Sequence, residues 1–190
     1  MHSSPLPFPV RRWLLLLCIA LPAISAQAEK ADSLKETVIE AEHSVSDGKK
    51  KIHSLNGDVT VTRGTLLVKA ERAVVTELEA GHSASVLTGG PGGLVRFRQK
   101  RDGGPDLWVE GEAEKVEYDD KTELVKFISK ARVRYLEGKK TTQEQEGEFL
   151  SYDSQNDVFI ATNSSKGEHV LGAGRVKLTL QPKTDRQETK

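Results

Sequence analysis

Apolar and polar residues alternate along most of this chain, and a recurring phrase punctuates the alternation: a small residue and Glu, then alternating residues, then an Asp-centred turn. The phrase starts at Ala41-Glu42, Ala70-Glu71, Ala113-Glu114 and Gly147-Glu148, with spacings of 29, 43 and 34 residues. A period in that range marks stacked supersecondary units, and alternation at period two makes the units strands rather than helices. The clearest stretch is 57–76. There Val59 and Val61 alternate with Thr60 and Thr62, Arg63-Gly64 turns the chain, and Leu66, Val68 and Ala70 alternate with Leu67, Lys69 and Glu71.

The same pattern predicts strands at 38–42, 51–55, 107–118, 123–129, 131–136, 148–152, 158–162 and 175–180, separated by turns such as Asp47-Gly48, Asp119-Asp120 and Glu137-Gly138. Between His82 and Pro105 the period weakens; Gly-Gly-Pro-Gly-Gly at 89–93 forces a loop, and a short strand follows in which Leu94, Arg96 and Arg98 oppose Val95, Phe97 and Gln99. The segment 141–148 is polar enough for a helix but lacks an apolar stripe. The expected class is all-β, with one domain over 37–180, a loose polar segment at 29–36 and a disordered polar tail at 181–190.

The first 28 residues read as an address. Arg11 and Arg12 give a positive start, 13–21 a short apolar run, and Ala26-Gln27-Ala28 a cleavage motif, so a secretory signal peptide cut after Ala28 is expected. Leu15 to Leu17 ahead of Cys18 do not suit a lipid-anchor motif, and the Arg pair lacks the rest of a twin-arginine pattern. Cys18 is the only cysteine and leaves with this segment, so stability must come from strand pairing and apolar burial. Loss of Arg11 and Arg12 leaves 26 Lys+Arg against 28 Asp+Glu, a net charge of −2 that offers nucleic acid no basic surface.

Candidate chemistry is sparse. His43, His53, His82 and His169 share no metal-ligand spacing, and neither a phosphate-binding loop nor a Gly-x-Ser-x-Gly elbow occurs, so no catalytic residue, metal or cofactor is expected. Glu42, Glu71, Glu114 and Glu148 recur at equivalent positions and could form a carboxylate ladder of the kind a β-helical polysaccharide lyase or hydrolase carries. Recurrence argues for architecture instead, because like charges in register repel unless each faces solvent or a base, and an acid/base pair needs unlike environments.

The stretch GDVTVTRGTLLVKAERAVVT (57–76) resembles the OstA-like repeat of the LptA family of periplasmic lipopolysaccharide-transport proteins, and VEGEAEKVEYD (109–119) resembles that family's second half. The resemblance runs from about 38 to 180, departing at the insertion 89–93 and at a charged loop expected over 138–147. It implies a twisted β-jellyroll of two antiparallel sheets, open at both ends. It also implies partners: lipopolysaccharide through its lipid A, an inner-membrane-anchored protein of the same fold, the periplasmic domain of an outer-membrane translocon, and further copies stacked head to tail. A polymerising structural β-solenoid without cargo is the competing reading.

A lipid carrier needs a continuous apolar lining, since each exposed methylene costs about 0.8 kcal/mol and a chain of roughly a dozen carbons on the order of 10 kcal/mol. Alternation places Ile39, Val59, Val61, Leu66, Val68, Phe97, Val116, Tyr118, Phe127, Val133, Tyr135 and Ile160 on the inward face, with Val109, Val125 and Val158. The same residues would serve equally as an ordinary sandwich core. Arg96 and Arg98, with Lys100 and Arg101, are candidates for lipid phosphates at the groove mouth; the alternative is a charged edge strand that guards against mispairing.

Overall fold

The structure, a computed structural model, describes residue 32 and residues 34–104 and 106–182. The expected signal peptide and the tail beyond 182 lie outside the described residues. Among the described residues twelve strands form one antiparallel sheet. In chain order they are β1 (Thr37–Glu40), β2 (His43–Asp47), β3 (Ile52–Arg63), β4 (Leu66–Glu77), β5 (Ser83–Thr88), β6 (Val95–Lys100), β7 (Leu107–Ala113), β8 (Lys115–Asp119), β9 (Leu124–Glu137), β10 (Lys140–Asp153), β11 (Val158–Thr162) and β12 (Lys177–Leu180).

The two expected layers are halves of this single sheet, folded along a crease. One layer holds β1, β6, β7 and β12, the other β2, β5, β8 and β11, and the long strands β3, β4, β9 and β10 run through both. The repeated small-Glu phrase marks that crease. Ala41-Glu42 separates β1 from β2, Ala113-Glu114 separates β7 from β8, and Ala70-Glu71 and Gly147-Glu148 sit where β4 and β10 change layer. The intervening rungs turn the corner by backbone irregularity: the β3–β4 register shifts between Asn56 and Val59, and Ser129 and Lys130 of β9 have φ of 63° and 53°. Backbone bonds stitch the corners together, Glu42 N–H donating to Gly57 C=O at 3.0 Å and Glu114 N–H to Ser129 C=O at 2.9 Å.

Small residues are required because the layers converge here. Ala70, Ala113 and Ala131 are buried, and a Cβ on Gly57, at φ +80°, would strike the Glu42 side chain. The Glu residues meanwhile point outward, and Glu114 accepts Lys130 at 2.7 Å, which relieves the repulsion expected of a carboxylate ladder.

Several local expectations change, among them residues 43–47, which form β2, and the strand expected at 51–55, which fuses with the start of the 57–76 stretch into β3. Residues 83–88 form β5, unannounced by the sequence because Ser and Ala fill many of its positions. The charged loop expected at 138–147 is a tight turn followed by β10, one of the two longest strands. The strand expected over 107–118 breaks at Glu114, and those expected at 123–129 and 131–136 fuse into β9. Each break or fusion falls on the crease, where alternation of faces is reset.

Candidate functional site

Cross-strand partners share a face, so the register defines the inner rows directly. Nearest the crease in one layer run Val59, Ala70, Val95, Ala113 and Ala131; in the other, Leu55, Ala73, Leu87, Val116, Phe127 and Leu150. These are buried, Leu150 and Val59 to 0% exposure. The next row, Ile39, Val61, Val68, Phe97, Gly111, Val133, Gln145 and Leu178, crosses the whole layer in register. Phe97 lies over Gly111 and stacks on Phe127 of the opposite layer, with ring centroids 5.2 Å apart, so the layers face each other across an apolar interior.

Farther from the crease the rows become amphipathic. Arg63, Leu66, Gln99, Val109, Tyr135 and Gln143 edge one lip; Ser46, His53, Val75, Ser85, Tyr118, Val125, Tyr152 and Phe159 edge the other. Burial raises the Tyr118 hydroxyl pKa, with Asp120 and Glu123 adding to the rise, against a hydrogen bond and positive charge from Arg63 that lower it. Arg63 and Tyr118 thus stand near each other across the two lips. Arg101 lies 4.4 Å from the centre of the Tyr135 ring.

Most expected lining residues are therefore inward. Val59, Val116, Phe127 and Val133 are core; Val61, Val68, Phe97, Val109, Val125 and Tyr135 pack against that core while partly exposed. Ile39 has the inward parity expected of it but is 42% exposed, because β1 is an end rung. Leu66 and Tyr118 sit at the lips. Ile160 and Val158 are corrected: Phe159 and Ala161 are the β11 residues that pack on the core, and Ile160, 46% exposed, faces outward. A one-residue slip in parity moves a whole strand to the other face.

Arg96 and Arg98 also lie away from the groove mouth. They sit on the outer face of the first layer, and β6 is paired on both sides, by β4 and β7, so it is not an edge strand either. There they join two cross-strand charge ladders. Arg96 pairs with Glu112 at 3.2 Å, Glu112 with Arg132 at 3.4 Å, and Glu146 bridges Arg132 and Lys177, the latter at 3.2 Å. In the second ladder Arg98 meets Glu110 at 3.0 Å, and Glu110 meets Arg134 at 3.3 Å. The hydrogen bond from Arg132 holds the Glu146 carboxyl below the usual carboxylate range, outweighing its partial burial. Like charges two residues apart on neighbouring strands, Arg96/Arg98, Glu110/Glu112, Arg132/Arg134 and Glu144/Glu146, are the sequence signal of these ladders.

The structure also joins three residues that sequence spacing did not. Ser46 Oγ lies 2.8 Å from His53 Nδ1, and His53 Nε2 lies 2.8 Å from Glu77 Oε1. In a serine-hydrolase triad the hydroxyl meets Nε2 and the carboxylate Nδ1; here the contacts are the other way round, on an exposed strand lip. The arrangement serves as a polar rung.

At both ends of the stack strands are left with one partner each among the described residues: β1 and β2 at one end, β11 and β12 at the other. Exposed large apolar side chains concentrate on them, including Val38, Ile39 and Val45 at the first end and Ile160, Leu178 and Leu180 at the second.

This architecture matches known proteins. The chain is 26% identical over 153 residues to the lipopolysaccharide export system protein LptA of Haemophilus influenzae, covering 80% of this chain and 85% of that protein. Its fold matches the crystal structure of LptH, the LptA-homologous periplasmic component of the lipopolysaccharide transport device of Pseudomonas aeruginosa, with TM-score 0.65, 19% identity, and coverage of 80% of this chain and 99% of that one. The family described as LptA/(LptD N-terminal domain) LPS transport protein matches residues 38–158, so this chain belongs to that family.

Proposed function

We propose that this protein binds lipopolysaccharide in the periplasm and forms part of the bridge that carries it from the inner to the outer membrane. The observation that carries this reading is the polarity gradient between the layers: an apolar floor at the crease, half-exposed Val61, Val68, Phe97 and Val109 above it, and hydroxyl, amide and guanidinium groups at the lips. Acyl chains prefer the floor and sugars and phosphates the lips, so one molecule of lipid A satisfies both. Buried Val59, Val116, Phe127 and Val133 support the floor, whereas the half-exposed residues above them make the lipid contacts.

The end strands supply the partners. An unpaired β1/β2 end and an unpaired β11/β12 end can join by strand addition, a head-to-tail contact that does not close on itself. An inner-membrane-anchored protein of the same fold would occupy one end and the periplasmic domain of an outer-membrane translocon the other, with further copies between. Export by the signal peptide ending at Ala28 places the chain in that compartment.

The test is photo-crosslinking to lipopolysaccharide. A photoreactive residue at Phe97 or Tyr118 is expected to label lipid, and one at Arg98 on the outer face is expected not to. Absence of labelling from every inner position of a folded protein, or equal labelling from Arg98, overturns the proposal.

A further inference from the structure

One polar cluster faces the interior and is absorbed neither by the core nor by the charge ladders. Asp32 is 4% exposed, within a segment the sequence predicts to be loose. Its Oδ2 accepts from the Thr65 hydroxyl at 2.5 Å and from Gln99 Nε2 at 3.3 Å. Thr65 also donates its backbone N–H to this carboxylate, and Arg63 adds positive charge. Gly64, between them, leaves no room for a Cβ beside Asp32. Thr65 Oγ1 is itself fixed by the Lys100 N–H at 3.1 Å. Burial works to raise the Asp32 carboxyl, but the Thr65 and Gln99 bonds and the Arg63 charge outweigh it and hold it below the usual range.

The second observation concerns Arg63. It lies near Tyr118 of the other layer, lowering that hydroxyl's pKa, yet its Nε is buried with no hydrogen-bond partner. A dehydrated, unspent N–H on a cation is costly to keep. An entering anion would give it an acceptor. A carboxylate has two acceptor oxygens, and the Thr65 hydroxyl and the Gln99 amide both meet the same one, Asp32 Oδ2; a phosphate monoester has three terminal oxygens and suits a guanidinium with neighbouring hydroxyl, amide and backbone donors.

We propose that Arg63, Thr65, Gln99 and Tyr118 form a phosphate-monoester subsite at the lateral mouth of the groove, and that Asp32 is its resident anion, displaced when a phosphorylated amphiphile enters. The inference rests on the lipid-carrier reading and adds the residues that hold the headgroup. Two anions cannot share the donors without repulsion, so entry of phosphate and departure of Asp32 are linked. The Asp32 carboxylate thereby sets a threshold: an unphosphorylated lipid gains nothing from displacing it.

The experiment measures binding of lipid A, of dephosphorylated lipid A and of inorganic phosphate to the full mature chain and to Arg63→Gln and Asp32→Asn. Thermal unfolding verifies that each variant is folded. Arg63→Gln is expected to weaken lipid A binding about tenfold or more while leaving the dephosphorylated lipid unchanged. Asp32→Asn, which removes the competitor, is expected to tighten lipid A binding severalfold, opposite in sign to any loss from misfolding. Equal responses of the two lipids to both variants overturn the subsite. Arg63-dependent binding of inorganic phosphate as tight as that of lipid A would reassign it to free phosphate and overturn the headgroup role. If wild type binds neither lipid, the carrier reading itself fails; if it binds both indifferently to Arg63 and Asp32, only the subsite does.

Discussion

The crease and the lips are made by the same strands, often by residues four apart, yet they obey opposite rules. On β7, Ala113 is 0% exposed at the crease while Val109 near the lip is only partly buried. At the crease two backbones converge and every side chain must be small or fully enclosed. At the lips the layers part, and Tyr, Gln, Ser and Arg join Val and Leu on the same inward parity. The crease stores the stability of the sandwich, and the lips are left free to be functional.

The contrast is broken most directly by truncation. Leu150→Ala opens a cavity beside Phe127 and Val116 at a site with 0% exposure, and should cost about 2 to 5 kcal/mol in denaturant unfolding. Val109→Ala, on the half-exposed row, should cost about 1 kcal/mol or less yet reduce lipopolysaccharide binding severalfold. Similar losses of stability at the two positions would mean that the interior is one uniform core, with no division of labour.

A subtler probe lies between the two regions. Gly111 leaves the space in which the Phe97 ring sits, and a Cβ there would fall on that ring, itself stacked against Phe127. Gly111→Ala should therefore destabilise by about 1 to 3 kcal/mol through overpacking. In the Gly111→Ala background, Phe97→Leu should cost less than it does in wild type, with a coupling of about 0.5 kcal/mol or more in a double-mutant cycle. Strict additivity would show that the ring evades the new methyl by rotating away, and that the floor of the groove is looser than its stacking implies.

The fold was legible to the extent that period-two alternation survives. Residues 57–76 announce β3 and β4, and the small-Glu phrase announces the crease, though as a repeat rather than as a bend. Parity failed where no strong alternation constrains it: Val158, Phe159 and Ile160 are all apolar, so nothing in the sequence tells which of them faces in. In the sequence Arg96 and Arg98 look like a local cluster because their partners Glu112 and Glu110 lie on another strand; only pairing places opposite charges side by side. Asp32 was beyond reach, since its partners Thr65 and Gln99 are 33 and 67 residues away.

The smallest effect should come from the outer face, where the ladders compare with neither region. Glu146 bridges Arg132 and Lys177, and its carboxyl pKa is lowered in the folded state, chiefly by the Arg132 hydrogen bond. A group with a depressed folded value contributes stability that is full above the unfolded carboxylate range, near pH 4.3, and is lost as pH falls through the lower folded value. Both cations are substantially exposed, so solvent screens the pair and Glu146→Gln should cost no more than about 1 kcal/mol at neutral pH. The difference from wild type should shrink as pH falls below 4, where Glu146 becomes as neutral as the Gln that replaces it, and it should shrink in high salt. A gap that persists at low pH would mean that Glu146 holds β10 and β12 together by packing rather than by charge, and the outer ladder would then belong with the crease as a structural element of the sandwich.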